Sequence, residues 1–151
     1  MITVLDLSDE AATAALAARV AGVAAARDVI ALKGDLGTGK TSFARAFIRA
    51  RGGAEEVPSP TFTLVQVYDL EPVPVWHFDL YRLRAAEEAW ELGIDDAFAT
   101  AISLIEWPER LGTLLPAKRL EIALTFGEGP RARRAVLGGD PGWHERLAAH
   151  A

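Results

Sequence analysis

The octapeptide Gly34-Asp35-Leu36-Gly37-Thr38-Gly39-Lys40-Thr41 satisfies the pattern G-x-x-x-x-G-K-[ST] at every position. A match of this kind arises by chance in roughly one chain of this length in a few hundred. Its flanks strengthen it. Before it stands Val29-Ile30-Ala31-Leu32, a short apolar run suited to a strand buried on both faces. After it, Phe43, Phe47 and Ile48 carry helical spacing to about Ala50, where Gly52-Gly53 stops the pattern. Strand, glycine-rich loop and helix in this order form a P-loop.

The residue types fit phosphate chemistry. Gly34, Gly37 and Gly39 let the backbone turn its N–H groups inward, forming an anion nest. The helix that follows aims its N-terminus at the same charge. Lys40 adds a point charge for the β- and γ-phosphates, and Thr41 offers a hydroxyl oxygen to Mg²⁺. Gly37, Thr38, Gly39, Lys40, Thr41 and the neighbouring Ser42 are the candidate nucleotide contacts. Guanine is commonly read by N-K-x-D, and this chain contains no asparagine, so adenine is the expected base and ATP/ADP the expected nucleotide.

A P-loop enzyme also places a carboxylate near the metal, typically at the end of a buried strand. Two qualify: Glu106 closes Ile102–Ile105, and Asp79 closes Val75–Phe78. Either could hold Mg²⁺ or orient a water, and either could instead pair with Arg82 or Arg110 or stand solvated. Ser59–Thr63 lies where a switch segment would sense the γ-phosphate, and Thr61 falls within it. Trp107 could stack beside the nucleotide or pack helix to sheet. His77 could act as a base or simply be hydrogen-bonded. In Arg131-Ala132-Arg133-Arg134, arginines could reach phosphates or form a solvated face.

Around this centre, Ser8 is expected to cap a helix running to about Ala26, with Leu16, Val20 and Val23 on its apolar stripe. Thr61–Tyr68 and Val75–Leu80 read as paired strands joined near Glu71-Pro72. Short helices are expected at Ala85–Leu92 and Asp95–Ala99, with a helix start at Pro108. Leu120–Phe126 and Arg133–Leu137 read as closing strands about Gly127–Pro130, and Gly142–His150 as a terminal helix. At 151 residues, the whole of 1–151 is expected to be one α/β domain: a mixed, largely parallel sheet flanked by helices.

Composition narrows the function. With no cysteine, a disulfide framework, zinc–thiolate site and thiol catalysis are excluded. The net charge of −5 disfavours a broad nucleic-acid-binding face while leaving room for a local phosphate pocket. No segment reads as a secretory signal or membrane span, and a soluble cytoplasmic protein is expected.

Taken together, GDLGTGKTSFARAF, VPSPTFTLVQVY, HFDLYRL, ELGIDDAF and ISLIEWPERL, in this order, resemble the TsaE family of small bacterial ATPases required for threonylcarbamoyladenosine formation in tRNA. The likeness runs from about Ser8 to Leu111. It implies that Thr41 and Glu106 ligate Mg²⁺, that Asp79 serves hydrolysis or metal positioning, and that Thr61 lies in the nucleotide-sensing segment. It places Trp107 close to the nucleotide and the helix start at Ser8–Glu10 near the adenine. It brings a C-terminal arginine to the nucleotide, a role that either Arg131 or Arg133 could fill. It further implies an ATPase weak alone and stimulated by a TsaD–TsaB complex, which itself performs the transfer; contact with tRNA would be indirect or weak. The P-loop alone leaves two other readings: a small metabolite kinase, for which no segment is long enough to form a persuasive lid, and a non-hydrolysing docking module.

Overall fold

A computed structural model describes residues 2–54 and 64–149. Seven strands form one sheet in the order β1-β7-β6-β2-β5-β4-β3. They are β1 (Thr3–Leu7), β2 (Val29–Lys33), β3 (Val65–Tyr68), β4 (Val75–Asp79), β5 (Ile102–Glu106), β6 (Leu120–Phe126) and β7 (Arg133–Gly139). The central strands β6, β2, β5 and β4 run parallel, and the outer pairings are antiparallel. The architecture is thus the expected mixed, largely parallel α/β sheet.

Parallel strands need cover on both faces, and the apolar runs provide for it. Alternate side chains enter opposite cores. Ile30, Leu32, Ile102 and Leu104 join one core under helices α1 (Glu10–Val23), α2 (Lys40–Ala50) and α5 (Gly142–Ala149). Val29, Phe78 and Ile105 join the other, under α3 (Glu88–Glu91), α4 (Ile94–Thr100) and the 3-10 segment Pro108–Leu114.

Helix α1 buries Thr13, Leu16, Ala17, Val20 and Ala21, a spacing of three and four that turns one face to the core. Two expectations for this helix are corrected. Its cap is Asp9, whose Oδ1 accepts the Ala12 N–H at 2.9 Å, while Ser8 is exposed one residue earlier. It ends at Val23, before Ala26, because Arg51 Nη1 donates to the Ala21 and Ala24 carbonyls at 3.0 and 3.1 Å, closing the last turn. Val23 is accordingly only half-buried.

Strand β1 was not foreseen. It pairs antiparallel with β7, some 130 residues away in sequence (Thr3↔Leu137), so no local turn announces it. The helix expected over Ala85–Leu92 contracts to α3 because the Glu88 carboxylate accepts the Arg84 and Ala85 N–H groups, leaving a turn ahead of it. Gly93, at φ +81°, separates α3 from α4. The strand expected from Thr61 is described from Val65 onward; Thr61 itself and Ser59–Thr63 lie outside the described residues.

Candidate nucleotide and metal site

Three parallel strands end together. Leu32 of β2 pairs with Glu106 of β5, which pairs with Asp79 of β4. The P-loop leaves β2 at this edge, where open parallel sheets hold their ligands. Gly34, Gly37 and Gly39 all take positive φ, at 146°, 84° and 106°. Gly34 cannot carry a side chain: a Cβ there would meet the Leu124 carbonyl oxygen and Thr38 Oγ1, both at 2.5 Å. Gly39 caps α2 without a side chain, so the helix opens directly onto the loop.

Lys40 is the first residue of α2 and is buried. Its Nζ donates to the Gly34 and Asp35 carbonyls and lies 3.8 Å from the centroid of the Trp107 ring. Burial lowers the ammonium's pKa from the ordinary 10.5, and Glu106, Asp79, Glu109 and Asp35 partly oppose the shift. Trp107 follows β5 at φ +59°, and this left-handed turn brings the ring over the lysine. Tyr81 packs against the Trp107 ring, the centroids 4.9 Å apart and the planes tilted by 48°.

The Thr41 hydroxyl donates to Glu106 Oε1 at 2.8 Å. Glu106 is buried, and its Oε2 lies 2.7 Å from Nε2 of the fully buried His77. Asp79, also buried, accepts the Tyr81 N–H at 3.1 Å. Among the described residues no cluster of three or more His, Cys, Asp or Glu side chains could cage a metal. The donors present nevertheless fit Mg²⁺. One hydroxyl and one carboxylate oxygen converge beside the phosphate nest, and Mg²⁺ typically takes one or two carboxylates, keeping waters and substrate phosphates for the rest.

Two clefts flank the P-loop. One, of about 360 Å³, is lined by Lys40, Thr41, Asp79, Tyr81, Glu106 and Trp107, among others. The other, of about 610 Å³, lies between the start of α1 (Asp9, Glu10), the loop and α2 (Gly37, Gly39, Ser42) and the β6–β7 turn (Arg131, Arg133). Among the described residues, the sequence-derived candidates line the P-loop or its two clefts, with two qualifications, and Thr61 lies outside the described residues. Ser8 does not line the second cleft, whereas Asp9 and Glu10 do. Of the two arginines, both line it, but only Arg133 binds the P-loop, donating from Nη2 to the Gly37 carbonyl at 3.1 Å and stacking 4.9 Å over Phe126. The His77–Glu106 contact was missed: it joins residues 29 apart, and nothing in either local pattern signals it.

Comparison with known proteins points to one family. A family model described as "Threonylcarbamoyl adenosine biosynthesis protein TsaE" matches residues 7–135. A tRNA threonylcarbamoyladenosine biosynthesis protein TsaE from Rickettsia bellii is 39% identical over 119 residues, covering 78% of this chain and 83% of its own. The protein of the same name from Bacillus subtilis is 38% identical over 113 residues, covering 74% and 70%. A crystal structure of Bacillus subtilis YdiB shares the fold with a TM-score of 0.78 at 27% identity, over 99% of this chain and 96% of that one.

Proposed function

The chain belongs to the TsaE family of threonylcarbamoyl adenosine biosynthesis proteins, and from that premise we propose that it is a Mg²⁺-dependent ATPase acting as a switch on a TsaD–TsaB complex. One observation carries the ATPase reading. The Thr41 hydroxyl and the Glu106 carboxylate meet at 2.8 Å at the mouth of a complete phosphate-binding loop.

On this reading ATP lies along the P-loop, its phosphates in the nest of backbone N–H groups and at the N-terminus of α2. Lys40 turns its ammonium from the Gly34 and Asp35 carbonyls to the β- and γ-phosphates, countering the charge that builds on the β-phosphate as the γ-phosphoryl group passes to water and ADP leaves. Thr41 and Glu106 hold Mg²⁺, which supplies neutralisation of phosphate charge. Asp79, at the adjacent strand end, orients the attacking water. The adenosine occupies the larger cleft, between the start of α1 and the β6–β7 turn. Arg133 steadies the loop through Gly37.

The family's pathway and the net charge support the switch reading. A chain of net charge −5 is poorly suited to capture tRNA directly, which favours action through a protein complex. No helix among the described residues is long and apolar enough to cross a membrane.

The test is Mg²⁺-ATP hydrolysis by the purified chain, alone and with a TsaD–TsaB complex, with Lys40→Ala as control. Stimulation by the complex that the variant abolishes supports the reading. Binding of ATP and partners with no hydrolysis under any condition replaces it with a docking module set by nucleotide occupancy. Phosphoryl transfer to a small alcohol replaces it with a kinase.

A further inference from the structure

His77 sits on β4, facing the same core as Val75 and pairing in register with Leu104. Its ring is fully buried. One nitrogen, Nε2, lies 2.7 Å from Glu106 Oε2. The other, Nδ1, is buried with no hydrogen-bond partner among the described residues. As a contribution to stability this is a poor arrangement. A buried polar nitrogen without a partner costs on the order of 1–3 kcal/mol. A leucine would fill the space without it.

The arrangement makes sense from the side of Glu106. That carboxylate has two oxygens with different duties. Oε1 receives the Thr41 hydroxyl at the P-loop, and Oε2 is turned away to His77. An ionised carboxylate only accepts, so the ring donates from Nε2. With one oxygen fixed by a ring that is itself locked in the core, the carboxylate cannot rotate about its terminal bond, and Oε1 stays aimed at Thr41. A metal-binding carboxylate commonly depends on such an outer hydrogen bond.

We propose that His77 is a positioning residue that fixes the Glu106 carboxylate, through Nε2–H donation to Oε2, so that Oε1 is presented for divalent-cation binding beside Thr41. This rests on the reading of Glu106 as a metal ligand, and the experiment separates the two.

Mn²⁺ binding to the full chain in saturating ADP is titrated by electron paramagnetic resonance for the wild type, Glu106→Gln, His77→Gln, His77→Asn and His77→Leu. ADP affinity in EDTA and the thermal melt are measured beside it. Glutamine can place an N–H near the position of Nε2, whereas asparagine stops short and leucine has none. The expected result is Mn²⁺ affinity about 10–100-fold weaker in the Asn and Leu variants, with substantial recovery in His77→Gln and unchanged ADP affinity in EDTA. Loss in Glu106→Gln with wild-type affinity in His77→Leu overturns the role of His77 and leaves the metal site standing. Wild-type affinity in Glu106→Gln overturns the metal site, and the role of His77 with it. If His77→Leu fails to fold, equal affinities in the Gln and Asn variants overturn the proposal.

Discussion

The Lys40 ammonium lies 3.8 Å from the centroid of the Trp107 ring, held there by two backbone carbonyls of the P-loop. The ring's negative face attracts the cation, and both groups are at least half-buried, which strengthens the attraction. Phosphates drawn into the nest compete for the same ammonium. Binding of Mg²⁺-ATP is therefore expected to change Trp107 emission. The chain has four tryptophans, so the control is Trp107→Phe, in which the change disappears while binding by calorimetry persists. An identical change in the variant would assign the signal to Trp76, Trp90 or Trp143.

Lys40 also gives the fold a pH dependence on the alkaline side. Its pKa in the folded chain lies below the unfolded value of 10.5, chiefly through burial. Between those two values the unfolded chain binds the extra proton, so this residue's contribution to stability rises with pH across that window. Below the folded value the cost of burying the ammonium is fully present. In EDTA, the melting temperature of the wild type relative to Lys40→Met should therefore increase as pH is raised toward 10.5. A difference that stays flat or falls would show that the carboxylates around Lys40 outweigh its burial.

At Gly34, φ is +146° and any Cβ would press on a strand carbonyl. The Leu124 oxygen belongs to β6 and cannot withdraw without breaking the sheet. Gly34→Ala should cost on the order of 1–3 kcal/mol or more from strain alone. For a domain of this size that is about 2–4 °C in melting temperature for each kcal/mol. Gly22, where a Cβ would meet nothing within 4 Å, is the matched control: Gly22→Ala, exposed in the last turn of α1, should be neutral or stabilising. Equal melting temperatures for Gly34→Ala and wild type would refute the close approach.

Much of this site is legible in the sequence because its chemistry is local. The P-loop spans eight consecutive residues, and the strand ends at Asp79 and Glu106 each close a short apolar run. Side-chain periodicity also places α2 and the central strands correctly, since buried parallel strands and one-sided helices leave strong patterns. What the pattern misses is set by tertiary pairing. β1 exists because β7 returns to meet it, and Arg51 ends α1 from a different helix. Asp9 displaces Ser8 as the cap because both residue types serve equally well, and the packed position of the helix decides between them. The choice of Arg133 as the arginine on Gly37 goes with the β6–β7 register, which sets Arg133 opposite Phe126 and which a sequence does not display.

Far from the nucleotide, Arg146 ties α5 to the start of β2. Its Nη1 and Nη2 donate to the two Asp28 carboxylate oxygens at 2.6 and 3.1 Å, Nη1 also reaches the Val23 carbonyl, and the guanidinium stacks 4.2 Å from the Trp143 ring. The hydrogen bonds to Asp28 hold the arginine's pKa above its ordinary value. A double-mutant cycle on Asp28→Ala and Arg146→Ala should give a coupling of about 0.5–3 kcal/mol in urea denaturation. ADP affinity should not change, because neither residue lines the P-loop clefts. Additive effects of the two substitutions would show that the pair is geometrically close yet energetically independent.

The β6–β7 turn offers two arginines to one cleft, and the structure distinguishes them. Arg131 is exposed at the cleft wall. Arg133 is braced on three sides, by Phe126 beneath it, by the Ala132 carbonyl at 2.9 Å and by the Gly37 carbonyl of the P-loop at 3.1 Å. A flexible arginine must be ordered when nucleotide binds, losing rotamer freedom, whereas a braced one has already lost it. Removing Arg133 also leaves Gly37 without its only side-chain tether across the cleft among the described residues, so the nest itself loosens. Arg133→Ala should therefore weaken ADP binding about tenfold or more, and Arg131→Ala by no more than a few-fold. Arg133→Lys should recover little, since an ammonium cannot stack on Phe126 and fork to two carbonyls at once. Calorimetric ADP titrations of the three variants decide the matter: a larger loss in Arg131→Ala than in Arg133→Ala would move the nucleotide-binding role to the exposed arginine.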